Sequence, residues 1–179
     1  MKIWIGILPA VLLVGCMSGQ IGDVTVKIPP PGTEQAAERP LLAEVKVYDL
    51  RSPWAGGSTT KAAFGVPMGN VTFDPPEAHL VKQFLEYELT KLLREKGVVE
   101  KRVYSCDLTE FGVHTDTTPL YWDVVGQVRL VLKRGGKEYM LSGTDTRRTY
   151  AWPGESILRQ VVEESLKQVA GGLNPAVEN

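Results

Sequence analysis

Hydrophobic and polar positions follow two rhythms along this chain. A period of two runs through residues 41–50, where Ala43, Val45 and Val47 share one face and Glu44, Lys46 and Tyr48 the other. That alternation predicts a strand with one buried face. A helical period follows in Leu80, Val81, Phe84, Leu85, Leu89, Leu92 and Leu93, with Lys82, Glu86, Lys91 and Glu95 on the remaining faces. Asp74, Pro75 and Glu77 read as a cap, a first-turn proline and a capping-box partner, and Gly97 as the stop. Alternation returns in 102–111, with Tyr104, Cys106 and Leu108 on one side, and again in 120–133 and 138–150. Leu120, Trp122, Val124, Val128, Leu130 and Leu132 share the face that the middle of these strands would bury. Gly135-Gly136 supplies a two-residue hairpin turn, which sets Leu132 opposite Tyr139 and Leu130 opposite Leu141. After Pro153-Gly154, an apolar stripe of Ile157, Leu158, Val161, Val162, Leu166 and Val169 predicts a second helix that stops at Gly171-Gly172.

The order β-α-β-β-β-α predicts an α+β fold in a single domain over residues 41–172. Two amphipathic helices should cover one face of a four-stranded, mainly antiparallel sheet, leaving its other face open. Under the hairpin register, Val125, Arg129, Val131, Met140 and Thr144 point to that open face, with Gln127 and Thr146. It is either a solvated surface or a face on which a partner docks.

Between the periodic segments lie three stretches of weaker pattern. Residues 17–40 read as a tether with three consecutive prolines, Pro29 to Pro31, which favour an extended, semi-stiff chain. Inside it, Val24 to Ile28 alternates, as a short edge strand, a partner-binding segment or plain linker would. Residues 51–69 read as a loop whose Trp54, Phe64 and Met68 fold back onto the domain or form a binding lip. Residues 173–179 read as a flexible tail.

The start of the chain carries an address. Met1-Lys2 precedes an apolar run, Ile3 to Val14, too short to span a bilayer and right for a signal peptide. It ends in Leu13-Val14-Gly15-Cys16, which resembles the lipobox of bacterial lipoproteins. The resemblance implies a signal peptide over residues 1–15, cleavage between Gly15 and Cys16, a diacylglyceryl group on the Cys16 sulfur and acylation of the new amino terminus with palmitate-class chains. No other cofactor is expected. Several chains on one cysteine would hold far more firmly than the marginal anchorage that one provides. The next residue is Met17 rather than Asp, which for such lipoproteins implies export to the outer membrane, facing the periplasm.

Charge and cysteine usage narrow the class. The chain has 20 basic and 21 acidic residues; removing the leader takes away Lys2 and leaves 19 against 21. That balance argues against nucleic acid as a partner. With Cys16 lipidated, Cys106 is the only free thiol, in a position that suits a small buried hydrophobe, and stability has to come from a packed core. Chemistry is harder to place. His79 falls in the first turn of a helix and His114 in a polar loop, neither in a metal-binding pattern. The sequence contains no Gly-x-Ser-x-Gly elbow and no phosphate-binding glycine loop, so the reading is non-enzymatic. A hydrolase, the remote alternative, would need a pocket and a carboxylate beside one histidine. Lys133, Arg134 and Lys137 cluster at the hairpin, with Arg147 and Arg148 further along. They are solubilising and structurally paired charges, or contacts for an anionic lipid or glycolipid.

This layout resembles the YajG-type outer-membrane lipoproteins of Gram-negative bacteria. The resemblance rests on Gly15-Cys16, Val24 to Pro29, a first strand ending Asp49-Leu50-Arg51, a helix closing on Glu95-Lys96-Gly97, the long hairpin and the last amphipathic helix. The layout is also similar to lipopolysaccharide-assembly lipoproteins, transporter-auxiliary lipoproteins and small ring-forming export lipoproteins. The resemblance brings no catalytic residues; the lipid anchor, the modest core, the semi-apolar open face and the lack of a catalytic constellation together point to a lipid-anchored accessory that binds another envelope protein or further copies of itself.

Overall fold

A computed structural model describes residues 23–32, 40–52, 58–61 and 67–178. The leader, Cys16, Trp54 and Phe64 lie outside the described residues. The strands are β1 (Val24–Lys27), β2 (Ala43–Asp49), β3 (Thr59–Lys61), β4 (Pro67–Asp74), β5 (Arg102–Thr117), β6 (Trp122–Arg134) and β7 (Lys137–Thr149). The helices are α1 (Glu77–Glu95), α2 (Glu155–Gly171) and the short α3 (Asn174–Val177).

The α+β class and the helices on one face of the sheet are present as the pattern predicts. The sheet is larger and more mixed. It has seven strands in the order β1-β4-β3-β5-β6-β7, with β2 also beside β5. The long β5 serves as a fork. Its first half pairs in parallel with β2, from Ala43 opposite Arg102 to Asp49 opposite Leu108. Its second half continues past residue 111, where β3 joins it at His114. Antiparallel β6 covers the other side of β5, and β7 returns beside it with Leu132 opposite Tyr139 and Leu130 opposite Leu141. Gly135 and Gly136 take φ of +56° and +78°, the left-handed backbone that a tight hairpin requires.

A bulge in β5 keeps its whole length on the core. Leu108 faces Leu130 and Glu110 faces Arg129, so Thr109 is the extra residue. The slip changes the buried set from Tyr104, Cys106 and Leu108 to Phe111, Val113 and Thr115. Phe111 then meets Phe73 of β4 edge to face at 5.2 Å.

Two segments belong to the domain rather than to flexible ends. β1 pairs in parallel with β4, and Val26 and Ile28 are buried in the core, so the tether is part of the fold from Asp23 to Gly32. The three prolines follow β1 directly and line a cavity against α1 and α2. At the other end Leu173, Ala176 and Val177 are buried. The Arg134 and Arg102 guanidiniums donate to the Ala176 and Val177 carbonyls, which holds a tail that composition alone marks as frayed.

The first helix starts later than its sequence signals imply. Asp74 remains a strand residue, its carbonyl accepting the Ile28 N–H at 3.0 Å, and the Asp74–Pro75 bond is cis. A residue before proline avoids helical backbone, so the N-cap passes to Pro76 and the capping box does not form. The C-terminus follows expectation. Gly97 has φ +71°, its N–H reaches Arg94 O, and the Val98 N–H reaches Leu93 O, the paired bonds of a glycine-terminated helix.

Helix side chains also close the outer edges of the sheet. Glu155 accepts the Lys27 N–H of β1, Thr90 and Glu86 accept the Ala43 and Val45 N–H groups of β2, and Gln168 bonds both the N–H and the carbonyl of Thr144 in β7. Edges occupied in this way resist pairing with a further strand.

Candidate functional site

The face of the sheet away from the helices is built by residue parity. Val125, Arg129 and Val131 of β6 and Met140 and Thr144 of β7 all lie on it, as the hairpin register requires. Met140 is 88% exposed and stands directly opposite Val131. Across the same row, Asp107 of β5 pairs with Val131 and Tyr48 of β2 pairs with Asp107. Tyr48 is 52% exposed, and Val103, four residues from Asp107 along β5 and opposite Glu44, is 54% exposed. One ion pair, at Asp107, crosses this row and others flank it. Lys133 bridges Asp107 at 2.8 Å and Glu138 at 3.2 Å, while Arg129 meets Glu110 at 3.1 Å and Lys101 meets Glu44 at 2.7 Å. The hydrogen bonds to Asp107 and Glu138 raise the Lys133 pKa above the usual lysine value, and the Lys101 partner lowers that of Glu44. Lys133 and Glu44 therefore stay charged through neutral pH.

A second concave feature lies over the helices. A cavity of about 230 Å³ is lined by Leu80 and Phe84 of α1, Leu166 of α2, and Ile28 with the three following prolines. Glu88, Glu163 and Lys167 add charge to it. A dry apolar cavity of about 150 Å³ suffices for a benzene-sized guest. Neither histidine lines this cavity. His79 is exposed on the first turn of α1, and His114 is exposed on β5 rather than in a loop. Among the described residues, no group of His, Cys, Asp and Glu side chains could hold a metal ion. Cys106 is buried, and desolvation pushes its thiol up to about 12.

The five basic residues singled out as an anionic contact do not form one site. Lys133, Arg134 and Lys137 are at the hairpin, whereas Arg147 and Arg148 are at the far end of β7. Most are already engaged. Lys133 holds two carboxylates, and Arg134 reaches the Ala176 carbonyl and lies over the Tyr104 ring. Arg147 binds Asp145 and Gln160. Arg148 binds Asp123 through two nitrogens and sits 3.8 Å above the Tyr121 ring. Asp145 is two residues from Arg147 on the same strand and Asp123 is on the neighbouring one, whereas the partners of Lys133 and Arg134 come from other strands and from the chain end. Lys137 is exposed.

The aromatic cluster at the far end of β6 and β7 escaped sequence reasoning. Tyr121 meets Tyr150 at 6.3 Å and Trp122 meets Trp152 at 6.0 Å, both edge to face. Leu120, counted among the inward residues of β6, precedes the strand and is 78% exposed. The signal was the density of large side chains in Leu120-Tyr121-Trp122 and Tyr150-Ala151-Trp152.

No family model matches the chain, and no curated protein matches it. Among solved structures it is similar to one described as an uncharacterized protein, at 12% identity and a TM-score of 0.46, over 87% of this chain and 99% of that one. Among the described residues, no helix is long and apolar enough to cross a membrane.

Proposed function

We propose that this chain is a lipid-anchored, periplasm-facing accessory protein of the outer membrane, non-catalytic, that binds another envelope protein through the open face of its sheet. The address rests on Leu13-Val14-Gly15-Cys16 and on the resemblance to YajG-type lipoproteins. The observation that carries the binding role is the outward-facing row of Met140, Val131 and Tyr48, crossed by the Lys133–Asp107 ion pair and flanked by Arg129–Glu110. Exposed apolar and aromatic side chains interleaved with charged groups suit a docking patch. Occupied sheet edges favour docking on the face over strand addition. The dispersal and pairing of the basic residues take support from the alternative of a glycolipid site at the hairpin.

The test is a photo-activated crosslinker placed at Met140 in cells, with one at Lys167 on the helix side as comparison. A discrete adduct from Met140, lost on Val131→Lys, is expected; an adduct of twice the chain's mass would make the partner a second copy. A smear of abundant neighbours, the same from both positions, would overturn the reading.

A further inference from the structure

Strand directions fix where the chain enters the domain. β3 runs parallel to β5 with Thr59 opposite His114, and β4 runs antiparallel to β3 with Asn70 opposite Thr59. β1 runs parallel to β4, with Val24 opposite Val71. Asp23 is therefore level with Asn70, and its carboxylate accepts the Asn70 backbone N–H at 2.9 Å and side-chain amide at 3.1 Å. One row across the sheet thus runs Asp23, Asn70, Thr59, His114, Val125 and Thr146. Moving along β5 from His114 to Thr117 leads to Trp122 on β6 and Thr149 on β7. The same direction on β1 is toward lower residue numbers. The backbone therefore enters β1 from the end of the sheet that carries Leu120, Tyr121, Trp122, Tyr150 and Trp152.

That end has an unusual surface. Leu120 and Tyr150 are 78% and 76% exposed, beside the two aromatic pairs and an Arg148 held over Tyr121 by Asp123. Tyrosine and tryptophan combine an apolar body with a polar tip, and so favour the boundary between hydrocarbon and water. Cys16 precedes Asp23 by seven residues. A fully extended stretch of that length reaches at most about 25 Å. The hairpin is at the opposite end of strands of 13 residues, about 40 Å away.

Resting on the lipid-anchor reading of Cys16, we infer that the end at which Leu120, Tyr121, Tyr150 and Trp152 reach the surface, with Trp122 packed behind them, seats in the headgroup layer of the bilayer that holds the anchor. A short lead and an interfacial surface at the same end restrict the domain to one orientation. The hairpin then points away from the membrane, and the open face of the sheet stands to the side, free for a partner.

The experiment uses the full chain purified from membranes and reconstituted into phosphatidylethanolamine–phosphatidylglycerol vesicles whose acyl chains are brominated near the glycerol. A fluorophore is attached in one sample through Leu120→Cys and in another through Lys137→Cys, both exposed positions. At least twofold quenching at position 120 with none at 137 is expected. Equal quenching at both, none at 120, or stronger quenching at 137 overturns the orientation. The mass of the N-terminal peptide from the same samples separates the two claims. An acylated Cys16 with an unquenched label at 120 removes the orientation alone, whereas an unmodified Cys16 removes the anchor and this inference with it.

Discussion

Gly143 lies directly beneath the backbone of Ser165: a Cβ at position 143 would stand 1.9 Å from the Ser165 carbonyl oxygen. Next to it, a Cβ on Gly126 would stand 2.6 Å from the Val161 carbonyl. These two glycines let the α2 backbone press onto β6 and β7. The Ser165 hydroxyl uses the close approach, accepting the Asp145 N–H at 3.1 Å within reach of the Gly126 and Val161 carbonyls.

Because the obstacle is backbone, Gly143→Ala has to push α2 away. Overpacking of this kind costs about 3 kcal/mol at the upper end of the usual range, which in a domain of this size lowers Tm by roughly 10 °C. Gly126→Ala should cost about 2 kcal/mol, and Ser165→Ala, which loses hydrogen bonds without overlap, about 1 kcal/mol. Thermal and urea unfolding of the three variants checks the order; Gly143→Ala as stable as the parent would refute the packing.

Gly32 closes the prolyl segment over the helices with φ +71°, and a Cβ there would meet the Tyr87 ring. Gly32→Ala should cost about 2 kcal/mol, from left-handed backbone and from the overlap together. Adding Tyr87→Ala removes the overlap and leaves the backbone cost, so the double variant should be less destabilised than the two single changes sum to. A double-mutant cycle from urea unfolding measures that coupling.

Cys106 is buried among core side chains, with its thiol pushed up to about 12 by desolvation. A thiol reagent at pH 8 should leave Cys106 unmodified in the folded protein and modify it in denaturant. Burial as the neutral form also means that stability is fully present below the unfolded thiol value near 9.0 and declines as pH rises from there toward 12, because only the unfolded state ionises readily. Cys106→Ala should remove that alkaline slope while introducing a modest cavity cost.

Asp49 and Arg51 join the end of β2 to its surroundings. The guanidinium binds both Asp49 oxygens, at 2.8 and 2.7 Å, and also faces Glu77 and the Phe111 carbonyl. The hydrogen bond from Arg51 holds the Asp49 carboxyl below its ordinary 3.8. A depressed carboxyl contributes stability that is fully present above about pH 4 and disappears as pH falls through the lowered folded value. Tm measured from pH 5 to pH 2 should fall less steeply in Asp49→Asn than in the parent.

What could be read from the sequence depended on range. The hairpin was legible because Gly135-Gly136 sets its register locally, and from that register Val131, Met140, Val125, Arg129 and Thr144 fall on one face. The end of α1 was legible because Gly97 carries its own stop signal. β1 and β3 were obscure because strands of four and three residues take their partners from distant segments, and parallel pairs such as β1 with β4 and β2 with β5 leave no turn to mark them. The bulge at Thr109 left a trace that a fixed period of two overlooks, the change from Leu108 to Phe111. Lys133 and Arg134 looked like a ligand site only while their partners, Asp107, Glu138 and the tail, were out of view, whereas Arg147 and Arg148 were already readable as structurally paired charges.

The proposed role requires this domain to be tethered to a membrane through Cys16. The most direct measurement is the intact mass and N-terminal peptide of the protein recovered from the outer-membrane fraction, beside a Cys16→Ala variant. A mature chain that begins at Cys16 and carries a diacylglyceryl group and an N-acyl chain is expected, with the variant left as uncleaved precursor. A chain that begins elsewhere, an unmodified Cys16, or a Cys16→Ala protein that still matures into the outer membrane would contradict it.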